Sequence, residues 1–140
     1  MTKVIKLLVV EDDNLDVIDL QRTLDRMGIL YRMKVAHNGE EGVRSLDQAD
    51  NDMYEGPPDI VLLDLNMPRM NGLEFLQIIR RRQGWRNLKV FVLTTSDELE
   101  DKSAMRELGI SGYIVKPLKV GNTTNMDAFN LMIDLMNMQN

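Results

Sequence analysis

The chain of 140 residues contains no cysteine. Disulfides, thiol nucleophiles and zinc–thiolate sites are therefore excluded. A single histidine, His37, cannot build a histidine-rich metal centre, and it reads as a loop residue rather than a ligand or phosphohistidine. Basic residues are outnumbered, 17 against 22 acidic, for a net charge of -5. That balance disfavours a nucleic-acid partner, which requires a basic face. No apolar run approaches the roughly 20 residues needed to span a bilayer. The opening "MTKVIKLLVVEDD" is not a signal peptide, because its apolar run is short and ends in acid. A soluble protein of a reducing, cytoplasmic compartment, with no membrane partner, is expected.

What remains is an ordinary globular composition. Residues 1–140 read as one domain, long enough to bury a real core. Four short apolar runs stand out: "VIKLLVV" (4–10), "DIVLLD" (59–64), "VFVLTT" (90–95) and "GYIVKP" (112–117). A fifth, "YRMKVA" (31–36), alternates. Each has strand length, and three are nearly continuous, as suits strands buried on both faces of a parallel sheet.

Helical spacing lies between them. Val17, Leu20, Leu24 and Met27 recur at three and four, and Gly28 follows as a stop. A short helix is expected over "HNGEEGVRSL", and another from Asn71 or Gly72 through "LEFLQIIRRR". "DELEDKSAMREL" opens with a capping-box pattern, Asp97 with Glu100, and ends at Gly109. A last helix begins after "GNTTN", whose Thr or Asn residues are its candidate caps. The Pro/Gly-rich, acidic stretch 46–59 reads as a long surface connection. Strand and helix thus alternate five times, which implies a parallel sheet with right-handed crossovers and helices on both faces.

In such a sheet ligands bind at the carboxyl ends of the strands. The first strand delivers "EDD" there, the third Asp64, the fourth Thr94 and the fifth Lys116. Three carboxylates in a row repel one another and need a reason. Several carboxyl oxygens at one point suit a hard cation such as Mg²⁺. A carboxylate can also attack phosphorus, with a cation, a lysine and hydrogen-bond donors around the phosphoryl oxygens. Asp64, alone at the end of a central strand, is the candidate nucleophile. Glu11 and Asp12 would hold metal, Lys116 and Thr94 would meet the phosphoryl oxygens, and Asp13 would cap the first helix.

The blocks "LLVVEDD", "DIVLLDLNMPRMNG", "VFVLTTSD" and "GISGYIVKP" resemble the signature blocks of the bacterial two-component response-regulator receiver domain. The match runs collinearly from about residue 4 to 117. The resemblance implies a flavodoxin-like (βα)₅ sheet of order 2-1-3-4-5. It implies that Asp64 accepts a phosphoryl group from a sensor histidine kinase or a histidine phosphotransfer protein. It also implies metal ligation by Glu11, Asp12, Asp64 and the Asn66 carbonyl, a switch pair in Thr94 and Tyr113, phosphate binding by Lys116, and a cis Lys116–Pro117 bond. Phosphorylation would draw Thr94 in and let Tyr113 turn inward, altering the fourth helix and fifth strand.

Glu stands at position 11 where Asp is the alternative, and metal binding is expected to survive. Thr95, where Ala or Gly is frequent, is expected to slow dephosphorylation relative to Thr95→Ala. Nothing follows the fifth helix, so a stand-alone receiver, or one excised from a longer protein, is expected; "PRMNG", "LTTSD" and the 46–59 loop resemble partners of phytochrome-type kinases. From Met126 to Met138 the apolar arc is about 240° wide at 100° per residue. Met126, Phe129, Met132, Ile133 and Met136 form one side of it, and Leu131, Leu135 and Met138 the other. The second group is expected to face a partner, in a homodimer through the fourth helix, fifth strand and fifth helix. Two other functions compete: a haloacid-dehalogenase-like phosphatase, whose second Asp is Asn66 here, and a pseudo-receiver that binds without phosphorylation.

Overall fold

Strands that are apolar along their whole length need cover on both faces. The computed structural model, which describes residues 3–50, 56–65, 72–94, 102–116 and 126–139, shows that cover. Strands and helices alternate as β1 (Ile5–Val10), α1 (Asn14–Arg26), β2 (Tyr31–Ala36), α2 (Gly39–Asp50), β3 (Ile60–Asp64), α3 (Gly72–Arg81), β4 (Lys89–Thr94), α4 (Lys102–Glu107), β5 (Gly112–Val115) and α5 (Met126–Gln139). Every strand pairing is parallel, and the order is β2-β1-β3-β4-β5. This is the flavodoxin-like arrangement the sequence implies.

The period of two along each strand divides the core. Leu7 and Val9 of β1 and Leu62 of β3 point to one cluster, with Leu20 and Leu24 of α1 and Leu135 of α5. Leu8 and Val10, with Val61 and Leu63, point to the other, with Phe75 and Ile79 of α3. Burial of both faces explains why β3 is apolar at every position before Asp64.

Local signals set the helix ends. Asp13 is the N-cap of α1, and its Oδ1 accepts from the Leu15 amide at 2.9 Å. Gly28 takes a left-handed φ of 71°, and Ile29 N donates to Leu24 O, which closes the helix. At α2, Asn38 Oδ1 accepts from Glu41 N while Glu41 Oε2 accepts from His37 N, a variant of the capping box.

Three features depart from the sequence reading. First, α2 continues to Asp50, so residues 46–50 are helix rather than connection. Leu46 is buried in the core and holds that last turn down. Second, a short 3₁₀ turn at Gln83–Trp85 precedes β4 and buries the single tryptophan. Arg80 fastens this turn: its guanidinium donates to the carbonyls of Trp85, Arg86, Leu88, Leu108 and Gly109. It thereby ties α3 to the end of α4. Third, α5 turns the expected partner side to the core, together with Met132 from the other side; the side chains of Met126 and Phe129 lie outside the described residues. Leu131 and Leu135 are fully buried, and Met138 packs against the same cluster, whereas Ile133 and Met136 are exposed. A wide apolar arc leaves the core-facing side undetermined, and contact with β1 and β5 decides it. The capping-box residues Asp97 and Glu100, the caps sought in residues 121–125, and Asn66, Thr95 and Pro117 lie outside the described residues.

Candidate functional site

Strand register brings the acidic residues together. Val10 pairs with Leu63, so Glu11, the next residue of the first segment, stands level with Asp64. Glu11 N also donates to Ala36 O at 2.8 Å, which continues the strand by one bond. Carboxylate oxygens of Glu11, Asp12 and Asp64 all lie within 4.8 Å of one another. Glu11 and Asp64 are buried and Asp12 is exposed, so the group opens to solvent on one side. An all-oxygen, acidic donor set of this kind fits a hard divalent cation.

Lys116 enters from the far edge of the sheet. Thr94 pairs with Val115, which places Lys116 one residue beyond the end of β5, and Lys116 N donates to Thr94 O at 2.6 Å. Its ammonium lies 2.8 Å from Glu11 Oε2, 2.8 Å from Asp16 Oδ2 and 3.4 Å from Asp64 Oδ1. Burial alone would lower its pKa, but the hydrogen bonds it donates to Asp16 and Glu11 and the field of Asp64 raise it, so the lysine stays charged. Burial drives Glu11 the other way, up to about 7; the Lys116 hydrogen bond opposes this and the neighbouring Asp64 charge adds to it.

Backbone packing fixes the phosphoacceptor candidate. A Cβ on Gly72 would come within 2.8 Å of the Asp64 carbonyl and 2.9 Å of Leu65 Cα. Only glycine lets α3 start this close to the end of β3.

Thr94 is fully buried at the end of β4, one residue past Leu93, the register partner of Asp64. Tyr113 pairs with Val92 and is buried among the α2–α4 cluster. An inward tyrosine was expected only after phosphorylation; here the ring is already inward, packed in the cluster that includes Met105. Asp16 was not singled out from the sequence. Its signal was available: it is an acid in the first turn of the helix that begins at this sheet edge.

A family model, the response regulator receiver domain, matches residues 7–126. The chain belongs to the response-regulator receiver-domain family. The uncharacterized transcriptional regulatory protein YcbL of Bacillus subtilis is 34% identical over 115 residues, 81% of this chain. The chain spans only 45% of that regulator's length. The bacteriophytochrome response regulator RtBRR superposes with a TM-score of 0.76 at 31% identity, over 96% of this chain and 78% of that one. The Mn(2+)-bound form of response regulator Rcp1 superposes with a TM-score of 0.73 at 28% identity, over 95% and 92%. The receiver is thus homologous to phosphorylatable response regulators of two-component systems, and receiver domains are in general signalling modules. Among the described residues no helix is long and apolar enough to cross a membrane.

Proposed function

We propose that Asp64 is the phosphoacceptor of this receiver, with Glu11, Asp12, Asp64 and the Asn66 carbonyl as the ligands of a Mg²⁺ ion. The observation that carries this reading is the cluster of three carboxylates with the Lys116 ammonium against two of them. That the neighbour Rcp1 has a Mn(2+)-bound form supports a divalent ion as the ligand of this receiver. A bound Mg²⁺ neutralises carboxylates and phosphoryl oxygens that would otherwise repel.

The chain's own residues do the rest. An Asp64 carboxylate oxygen attacks the phosphorus of a phosphohistidine. The new P–O bond forms as the P–N bond breaks, and its electron pair stays on the donor imidazole, which takes a proton from solvent. Lys116 and the Thr94 hydroxyl meet the phosphoryl oxygens. The product carries roughly -2 charge at the centre of the sheet edge, and a shift of Thr94 passes it to α4, β5 and α5 with Tyr113 already packed in the cluster that includes Met105.

The donor is a sensor histidine kinase or a histidine phosphotransfer protein in the cytoplasm. Leu15 and Ile18 of α1, the helix that carries Asp16, are exposed and offer the donor apolar ground. The reading takes residues 1–140 as one receiver whose only catalysis is on its own phosphoryl group. It includes a homodimer through α4, β5 and α5, now resting on exposed Ile133 and Met136. Incubation with a generic phosphomonoester separates this function from a phosphatase. No sustained release of phosphate is expected, and multiple turnover per chain would overturn the reading.

A further inference from the structure

Among the described residues Lys116 has three carboxylate partners, and one of them stands outside the cation cluster. Asp16 is not among the three carboxylates whose oxygens converge, yet its Oδ2 is as close to the ammonium as Glu11 is, 2.8 Å. The two partners hold Lys116 from opposite environments: the Glu11 side chain is 2% exposed and that of Asp16 33%. The lysine is therefore suspended between the pocket and its rim.

That suspension matters once the cluster is engaged. With Glu11 and Asp64 on a divalent cation, their charge is shared, and the cation repels the ammonium. Among the described residues, Asp16 alone would then keep an undivided charge toward Lys116. We propose that Asp16 is a positioning residue: it holds Lys116 at the pocket while the cation site is filled, and so presents it to the arriving phosphoryl oxygens. The proposal rests on the receiver reading. The plainer role for a first-turn acid is to complement the N-terminus of α1. That role would not depend on Lys116, which gives the test its discrimination.

The experiment is a double-substitution cycle with two readouts. The first is the rate of phosphorylation by a small acyl phosphate at saturating Mg²⁺. Asp16→Asn is expected to slow it about tenfold, the size of one lost charge-assisted hydrogen bond. Asp16→Glu should recover most of the rate. In a Lys116→Met background, Asp16→Asn should change the rate less than about twofold. The second readout is urea unfolding of the metal-free protein, where Asp16→Asn and Lys116→Met should be non-additive. An equal rate loss with and without Lys116, an unchanged rate in Asp16→Asn, or additive unfolding overturns the proposal. Failure of the receiver reading looks different: the wild-type chain itself would take no label, and the unfolding cycle would still decide whether Asp16 holds Lys116.

Discussion

Lys116 Nζ lies closer to Glu11 Oε2, at 2.8 Å, than to Asp64 Oδ1, at 3.4 Å. The ammonium thus rests more on Glu11 than on Asp64, the two buried carboxylates of the proposed cation site. Binding of a cation there would draw Glu11 away from Lys116, and any proton on Glu11 would leave first.

Glu11 makes that step pH-dependent. Burial raises its carboxyl from an ordinary 4.5 to about 7. Between about pH 4.5 and 7 the folded chain would therefore hold a proton that the unfolded chain has lost. Two consequences have opposite signs. The stability this group contributes is full below pH 4.5 and is lost as pH rises through about 7. Affinity for Mg²⁺, which needs the carboxylate, rises over the same window and levels above it. Calorimetric titration at about pH 6 and about pH 8 checks this, and equal affinities would contradict it.

Gly72 bears on the position of Asp64. Gly72→Ala places a methyl against the Asp64 carbonyl, which is backbone and has nowhere to go. A cost of about 1–3 kcal/mol is expected, together with slower phosphorylation. Thermal unfolding and labelling rate measure the two. A variant as stable and as fast as wild type would show that α3 starts elsewhere.

Arg80 donates to five carbonyls in two segments, 85–88 and 108–109. Arg80→Met leaves those acceptors without it and is expected to cost about 3 kcal/mol in urea unfolding. Arg80→Lys should recover little, because an ammonium cannot reproduce the planar fork.

The two sides of α5 should answer differently. Leu135→Ala is expected to cost about 2–5 kcal/mol, since Leu135 is fully buried. Met136→Ser should leave stability within about 0.5 kcal/mol and weaken self-association, because Met136 is 54% exposed. Light scattering and unfolding separate the two effects. Self-association unaffected by Met136→Ser and Ile133→Ser together would remove α5 from the dimer.

Much of the fold was legible because its signals are local. Continuous apolar runs ending in acid located β1 and β3 and placed Glu11 and Asp64 at one edge. Gly28 and Asp13 marked the ends of α1 by chemistry that needs no tertiary context. Other features were illegible for specific reasons. Arg80 binds backbone carbonyls, which have no residue identity to read. The Gln83–Trp85 turn is too short for a period. On α5, apolar residues covered so much of the helix that only the sheet could choose between Leu135 and Met136. Asp16 was overlooked because its partner, Lys116, is a hundred residues away in sequence.

The most direct test of the account is the intact mass of the protein after incubation with a small acyl phosphate. With Mg²⁺ present, wild-type chain should gain one phosphoryl group. The gain should vanish with a chelator and in Asp64→Asn. No gain in the wild type, or the same gain in Asp64→Asn, would contradict the assignment of Asp64 as the phosphoacceptor.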